Sequence, residues 1–320
     1  MPIIKESSYK KRPLLLFNAW METLVPYFLS KRLNLPYKRE KLELDDGDFI
    51  DLDWSLNNSD TLFIISHGFE GNSKDHFIEQ TVDYFSRRGV DLLIWHYRSC
   101  GGELNRLPRF YHHGDVSDFR KVIDYASGKG QYNHIGLIGF SMGGNFVINY
   151  LGSGNPNKQI KGGIVFSTPM DLSTASDQLS KGFNHKIERS FVEKWKRKIE
   201  RKAKEFPELI DLDKLNAITT LDQLQKDFLL PLHGFSSQEE YFKKHSSAQF
   251  LIKIDVPLLI VNAKNDPLLS PNCYPYIQCQ SSENVFLETP EFGGHTGFTR
   301  KTNGKLWFIH RIESFLLERK

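Results

Sequence analysis

Cysteine is scarce in this chain, with three residues, Cys100, Cys273 and Cys279, among 320. They form no CxxC pair and no even set, which excludes a disulfide framework and leaves free thiols in a reducing, cytoplasmic setting as the expectation. For Cys100 the expected state is a small buried thiol rather than a nucleophile. A dominant charge is also missing. Lys and Arg number 42 against 39 Asp and Glu, a net charge of +3, so nothing in the balance asks for a nucleic-acid partner. No His/Cys cluster stands at metal-ligand spacing, and neither a metal nor an organic cofactor is expected. No internal repeat or low-complexity tract is visible. What is present is 39% apolar and 25% charged residues, a composition that suits a soluble fold with an ample core.

Long apolar runs are absent too, with one near miss. Lys10-Lys-Arg12 precedes an apolar stretch, Pro13 to Leu29, and a basic start followed by such a stretch imitates a signal sequence. Asn18, Glu22 and Pro26 interrupt it, however, and no cleavage site of small residues follows. The segment is expected to pack over the core and to offer a face for peripheral membrane contact, not to span a bilayer.

Residues 38–54 alternate around Asp45-Asp-Gly-Asp48, which predicts an antiparallel hairpin. Continuous apolar runs then alternate with helical stretches. Strands are expected at 61–66, 90–95, 135–140, 161–167, 256–262 and 284–288, with helices at 75–88, 115–126 and 305–318. Runs buried on both faces and separated by helices indicate an α/β fold with a mostly parallel sheet. Between Met170 and Phe250 the alternation stops. That stretch reads as a helical cap or lid insertion at 169–250, within a core made of 1–168 and 251–320. Its basic run (Lys194, Lys196, Arg197, Lys198, Arg201, Lys202 and Lys204) is interleaved with Glu193, Glu200 and Glu205 and is expected to be a solvated helix face.

The chemistry gathers at Gly139-Phe-Ser-Met-Gly143, at the end of a buried strand and the start of a helix. A G-x-S-x-G turn in that setting lifts a serine hydroxyl clear of the sheet, and the flanking glycines supply the missing Cβ atoms. An idle serine in a Gly-rich turn would look the same locally, so the partners decide the matter. An acid and then a base should follow, each at the carboxyl end of a strand. Asp266 follows strand 256–262, and His295 lies in the Gly-rich loop Glu291–Phe298 after the last strand. The histidines His67, His96, His112 and His113 come too early in the chain, and His233 lies in the insertion. Backbone N–H groups of Met142, after the serine, and Phe69, in the loop Ser66-His-Gly-Phe-Glu-Gly71, are the expected oxyanion donors.

The sequence resembles the α/β-hydrolase superfamily and, within it, the YheT-like (EMB8-like) branch of esterases. The resemblance runs over nearly the whole chain: Asp46-Gly-Asp-Phe49, His67–Gly71, Tyr97–Arg106 with Tyr111–Gly114, Gly139–Gly144, Pro231–Phe235, Asn262-Ala263, Asp266-Pro267 and Gly293–Phe298. It implies an α/β-hydrolase fold, a catalytic set of Ser141, Asp266 and His295, and ester or acyl-lipid hydrolysis. Two positions depart from the branch: Phe69 where Leu is usual, and Ser99 where Gly is common after the arginine. The expectation is therefore a serine hydrolase acting on a small-molecule or lipid ester through an acyl-enzyme. The alternatives are a lipase or phospholipase working at a membrane surface, and a non-catalytic ligand-binding protein on the same scaffold.

Overall fold

The computed structural model describes residues 2–318. A nine-stranded sheet forms its centre, with β1 (Ile3–Ile4), β2 (Lys38–Glu43), β3 (Phe49–Ser55), β4 (Thr61–Ser66), β5 (Asp91–Trp95), β6 (His134–Phe140), β7 (Ile160–Phe166), β8 (Leu258–Val261) and β9 (Val285–Glu288). The spatial order is β1-β9-β8-β7-β6-β4-β5-β3-β2. β2 and β3 pair antiparallel, β3 runs antiparallel to β5, and all the other pairings are parallel.

The apolar runs are continuous because both faces of the sheet are covered. Successive side chains of a strand point to opposite faces, and β4 shows the consequence. Leu62 and Ile64 join one apolar cluster, with Phe119 and Val122 of α3 (Val116–Ser127) and Phe146 and Tyr150 of α4 (Met142–Gly152). Phe63 and Ile65 join the other, with Ile78 and Phe85 of α2 (His76–Ser86) and with the closing helix Trp307–Leu316. In the β2–β3 hairpin the turn takes the form that Asp-Gly predicts: Gly47 has φ 83° and the Leu44 N–H donates to Asp48 O at 2.8 Å.

The edge strand β1 escaped the sequence reading, because two residues carry no periodicity. The closing helix starts later than expected, since residues 301–302 and 305–306 pair as a small antiparallel ribbon before it. Helix α1 (Ala19–Leu29) occupies the N-terminal apolar stretch, with the Asn18 side chain accepting from Met21 N–H at its start.

Between β7 and β8 the chain makes α5 (Leu172–Leu179), α6 (Asn184–Ala203), α7 (Leu212–Ala217), α8 (Leu221–Leu224), a π-helical turn (Gln225–Leu229), α9 (Leu230–Leu232) and α10 (Gln238–His245). Helix α6 corrects one expectation. Its basic run is not wholly solvated: Val192, Trp195 and Ile199 form a buried stripe, and two lysines share that side. Lys198 Nζ reaches Glu70 Oε1 at 2.8 Å, and Lys202, fully buried, donates to the Asn105 carbonyl. The long aliphatic stems let these lysines follow the apolar stripe while their ammonium groups find oxygens of the core.

The loop after β5 is a brace. Arg98 is buried and forks onto Asp118 at 2.7 and 2.9 Å, with Asp48 at 2.9 Å and Asp46 at 2.8 Å. Ser99 adopts φ 64°, which explains why glycine suits this position, and its Oγ accepts from Asn105 N–H at 3.0 Å. The same segment brings His112 against the rings of His233 and His245 from the insertion, with centroids 4.4 and 5.0 Å apart. Among the described residues, His112, Asp115 and His233 are the group whose ligand atoms approach as a metal set would. Their hydrogen bonds point elsewhere, since His112 Nδ1 accepts from Gly114 N–H at 3.0 Å, which puts its proton on Nε2, 3.4 Å from Asp115 Oδ1. Asp115 also accepts from Arg109 at 3.1 Å.

Burial holds His112 well below the ordinary histidine range, and His245, His113, Arg109 and Lys244 act in the same direction. Burial likewise brings His113 and His233 to about 3. A folded-state pKa below the unfolded one means that the unfolded chain takes up protons the folded chain refuses. Stability is then complete above roughly pH 6.5 and falls as pH drops below it. Equilibrium denaturation should give little change between roughly pH 7.5 and 6.5 and then a loss of about 1 kcal/mol or more per pH unit down to about pH 4.5. The His112→Gln variant should have a shallower slope.

Candidate active site

Ser141 follows the last residue of β6 and is held at φ 52°, ψ −121°, a conformation that non-glycine residues rarely adopt. The surroundings dictate it. Ser141 N–H donates to Phe166 O of β7 at 2.8 Å, and helix α4 starts at once with Met142. A Cβ on Gly143 would fall 2.1 Å from Ser66 O, and one on Gly139 would fall 2.6 Å from Gly143 O. Only glycine lets the helix start lie this close to β4 and β6.

The acid loop follows β8. Asn262 ties it to the end of β7, its amide oxygen accepting from Thr168 N–H at 2.9 Å and its amide group donating to Thr168 O at 3.1 Å and Cys273 O at 2.9 Å. Asp266 has a fully buried carboxylate whose Oδ1 accepts from Leu268 N–H at 2.9 Å. His295 lies between acid and serine. Its Nδ1 is 2.8 Å from Asp266 Oδ2, and its Nε2 is 2.9 Å from Ser141 Oγ. With the proton on Nδ1, Nε2 is free to accept from the serine hydroxyl.

The support of the histidine loop comes from a place the sequence reading missed. Glu22 of α1, read there only as a break in an apolar run, is completely buried. Its Oε2 accepts from Gly293 N–H and from Asn265 Nδ2, both at 2.8 Å, so one carboxylate joins the acid loop to the base loop. Arg12 Nε lies 3.3 Å from Oε1. Thr23 Oγ1 accepts from His295 N–H at 2.9 Å, and Ser167 Oγ accepts from Thr296 N–H at 2.9 Å. A Cβ on Gly297 would fall 1.9 Å from Glu22 O, so this loop is Gly-rich because a helix backbone lies on it. An acid inside an apolar run was the available signal, since a carboxylate in such a place must find partners.

Gly68 brings the loop after β4 alongside: a Cβ there would be 3.6 Å from Ser141 Cβ. The next residue is Phe69, whose ring stacks on Trp195 of α6 at 5.8 Å. Among the described residues, neither Phe69 N–H nor Met142 N–H donates a hydrogen bond within the chain. His67 is buried against the Tyr97 ring, with Nδ1 2.7 Å from Gly68 O, and burial keeps it neutral; it shapes this loop. Cys100 is equally far from chemistry, its thiol pushed up to about 12 by burial. A cavity of about 440 Å³ opens over Ser141 and His295, with walls from Leu24, Tyr27, Leu172, Ile187 and Phe191. Asp75 also borders it, and burial raises this carboxyl to about 6, which the sequence reading did not foresee.

A family model described as alpha/beta hydrolase fold matches residues 61–301. A protein of Escherichia coli (strain K12) named Putative esterase YheT is 26% identical over 307 residues, 93% of this chain and 90% of that protein. Phospholipase ABHD3 of Mus musculus is 23% identical over 93% of this chain and 74% of its own length. Among solved structures, the Pyrococcus furiosus esterase Pf2001 superposes with a TM-score of 0.61 at 18% identity, over 89% of this chain and 92% of that one. Est1E of Butyrivibrio proteoclasticus with bound ferulic acid does so with a TM-score of 0.58 at 20% identity, over 87% and 98%.

The weight carried by Glu22 is measurable. Replacing it with Ala leaves a buried backbone N–H and a buried amide without an acceptor, which should cost about 3 kcal/mol in urea denaturation. Glu22→Gln keeps one acceptor oxygen and should cost about half as much. An unchanged midpoint in Glu22→Ala would show that the two loops hold their positions without it.

Proposed function

The chain belongs to the alpha/beta hydrolase family, and we propose that it is a serine hydrolase cleaving carboxylic esters with Ser141, His295 and Asp266. One observation carries this reading: His295 is hydrogen-bonded on one nitrogen to a buried carboxylate and on the other to the strained serine.

Ser141 Oγ attacks the ester carbonyl while Nε2 of His295 takes its proton. Asp266 keeps the imidazole in the tautomer that accepts at Nε2 and stabilises its charged form. The N–H groups of Phe69 and Met142 receive the oxyanion, and the loss of one such donor typically costs on the order of 3 kcal/mol at the transition state. His295 returns its proton to the departing alcohol, leaving an acyl group on Ser141. A water, deprotonated by the same nitrogen, then releases the acid. Asp266, His295 and Ser141 stand within hydrogen-bond reach of one another in that order, and the ester and one water are the reactants.

We assign residues 169–250 as a cap over the pocket. Supporting this are Phe191 and Trp195 of α6 against Phe69, and Lys198 on Glu70, which tie the insertion to the loop next to the serine. The apolar walls suit an acyl chain rather than a polar acid. A panel of p-nitrophenyl esters should therefore give higher kcat/KM for medium and long chains than for acetate.

In Ser141→Ala, p-nitrophenyl ester turnover should fall at least about 10³-fold with an unchanged melting temperature. Asp266→Asn should lose on the order of 10⁴-fold in kcat. The wild type should take up a fluorophosphonate at Ser141. Neither labelling nor turnover in the folded wild type would overturn the reading and leave a pocket that binds its ligand unchanged.

A further inference from the structure

Helix α1 buries Glu22 and Pro26 and the turn before it buries Leu16, while several large apolar side chains of the same segment stand in solvent. Glu22 and Thr23 face the histidine loop. Leu14, Leu15, Phe17, Phe28 and Leu29 are 99, 83, 69, 72 and 78% exposed. Single exposed leucines are ordinary, but these five large apolar side chains exposed within residues 14–29 are the kind of concentration that marks a contact surface. The same segment reaches the cavity: Leu24, Tyr27 and Phe28 line it, and Trp20 meets Phe183 of the insertion, itself a lining residue, at 4.9 Å.

Charge brackets the same face. Lys10 and Lys11 precede it and Lys31 and Arg32 follow it, all exposed, and Lys186 lies over the Phe183 ring, both lining the cavity. Glu6 pairs with Lys10 at 3.6 Å on the surface, where such a pair contributes little. No helix of the described residues is long and apolar enough to cross a membrane. A short apolar face flanked by Lys and Arg instead suits the interface plane, where apolar burial and anionic headgroups act together.

We propose that this face docks on an anionic lipid bilayer with the cavity mouth turned toward it, and that the substrate is an acyl ester of a membrane lipid. An acyl chain leaving the bilayer would then pass over Tyr27 and Phe28 to Ser141 without crossing water. The docking stands on the surface alone, and the substrate class rests on the ester-hydrolase reading above. Because Glu22 and Thr23 belong to the docking helix, the surface contact and the position of His295 share one rigid element.

The test is flotation of the full chain with phosphatidylcholine vesicles and with equimolar phosphatidylcholine–phosphatidylglycerol vesicles. The wild type should float with the mixed vesicles and bind pure phosphatidylcholine at least about 10-fold more weakly. Leu14→Ser/Leu15→Ser/Phe17→Ser, at exposed positions outside the cavity, should lose at least about 100-fold in affinity and stop releasing fatty acid from mixed vesicles. Its hydrolysis of soluble p-nitrophenyl acetate and its melting temperature should match the wild type. Lys10→Glu/Lys11→Glu should weaken binding to mixed vesicles by roughly five-fold or more per replaced lysine, while binding to phosphatidylcholine holds. Absence of flotation, or equal flotation by the triple variant, overturns the docking even if soluble-ester activity is intact. A concentration-dependent dimer that the triple variant loses, without flotation, would assign the face to a second copy and also overturn it. If the wild type floats but Ser141→Ala hydrolyses as well as wild type, the ester-hydrolase reading fails and the docking stands.

Discussion

The geometry at Ser141 depends first on how closely α4 starts against the end of β6. The Gly143 Cα lies where any side chain would strike the carbonyl oxygen of Ser66, and the turn between Gly139 and Gly143 has no spare volume. Under that constraint Ser141 takes a positive φ, and its hydroxyl leaves the sheet on the side where the acid and base loops emerge. The strain is sustained by the surrounding sheet, whose two faces are each sealed by an apolar cluster. A loosely packed sheet would let the turn relax and the hydroxyl withdraw.

A second constraint comes from outside the sheet. Parallel strands deliver their following loops to one edge, but they do not aim a side chain. The aim of His295 comes from α1, whose buried Glu22 holds the base loop and acid loop together and whose Thr23 holds the His295 backbone. The same helix leaves Tyr27, Phe28 and Leu29 exposed at its end, and Tyr27 and Phe28 also line the cavity. Two groups that would normally face water, Glu22 and Thr23, are instead engaged in holding the histidine loop.

The insertion shows how burial reverses a reading based on charge. In α6 the basic residues look solvated when only signs are counted. Lys198 and Lys202 are nevertheless drawn to oxygens of the core because their stems lie along the stripe of Val192, Trp195 and Ile199. Phe69 belongs to the same contact, its ring stacked on Trp195, and the preceding Gly68 lies alongside Ser141. The insertion is thus coupled to the loop next to the serine through an aromatic stack and a partly buried ion pair.

The sequence alone determined what depends on local pattern. The hairpin, the order of strands and helices and the α/β class followed from periodicity. The placing of Ser141, Asp266 and His295 at strand ends followed from Gly-rich turns and chain order. Both work because strand alternation and turn chemistry are properties of a few neighbouring residues. The tertiary structure decided what depends on distant residues meeting. It brought His295 within 2.9 Å of Ser141 and 2.8 Å of Asp266. It set Ile3–Ile4 beside β9, and it turned an interruption at Glu22 into the link between two loops. A carboxylate's partners here lie some 270 positions along the chain, at Gly293, and no local pattern records a contact across such a separation.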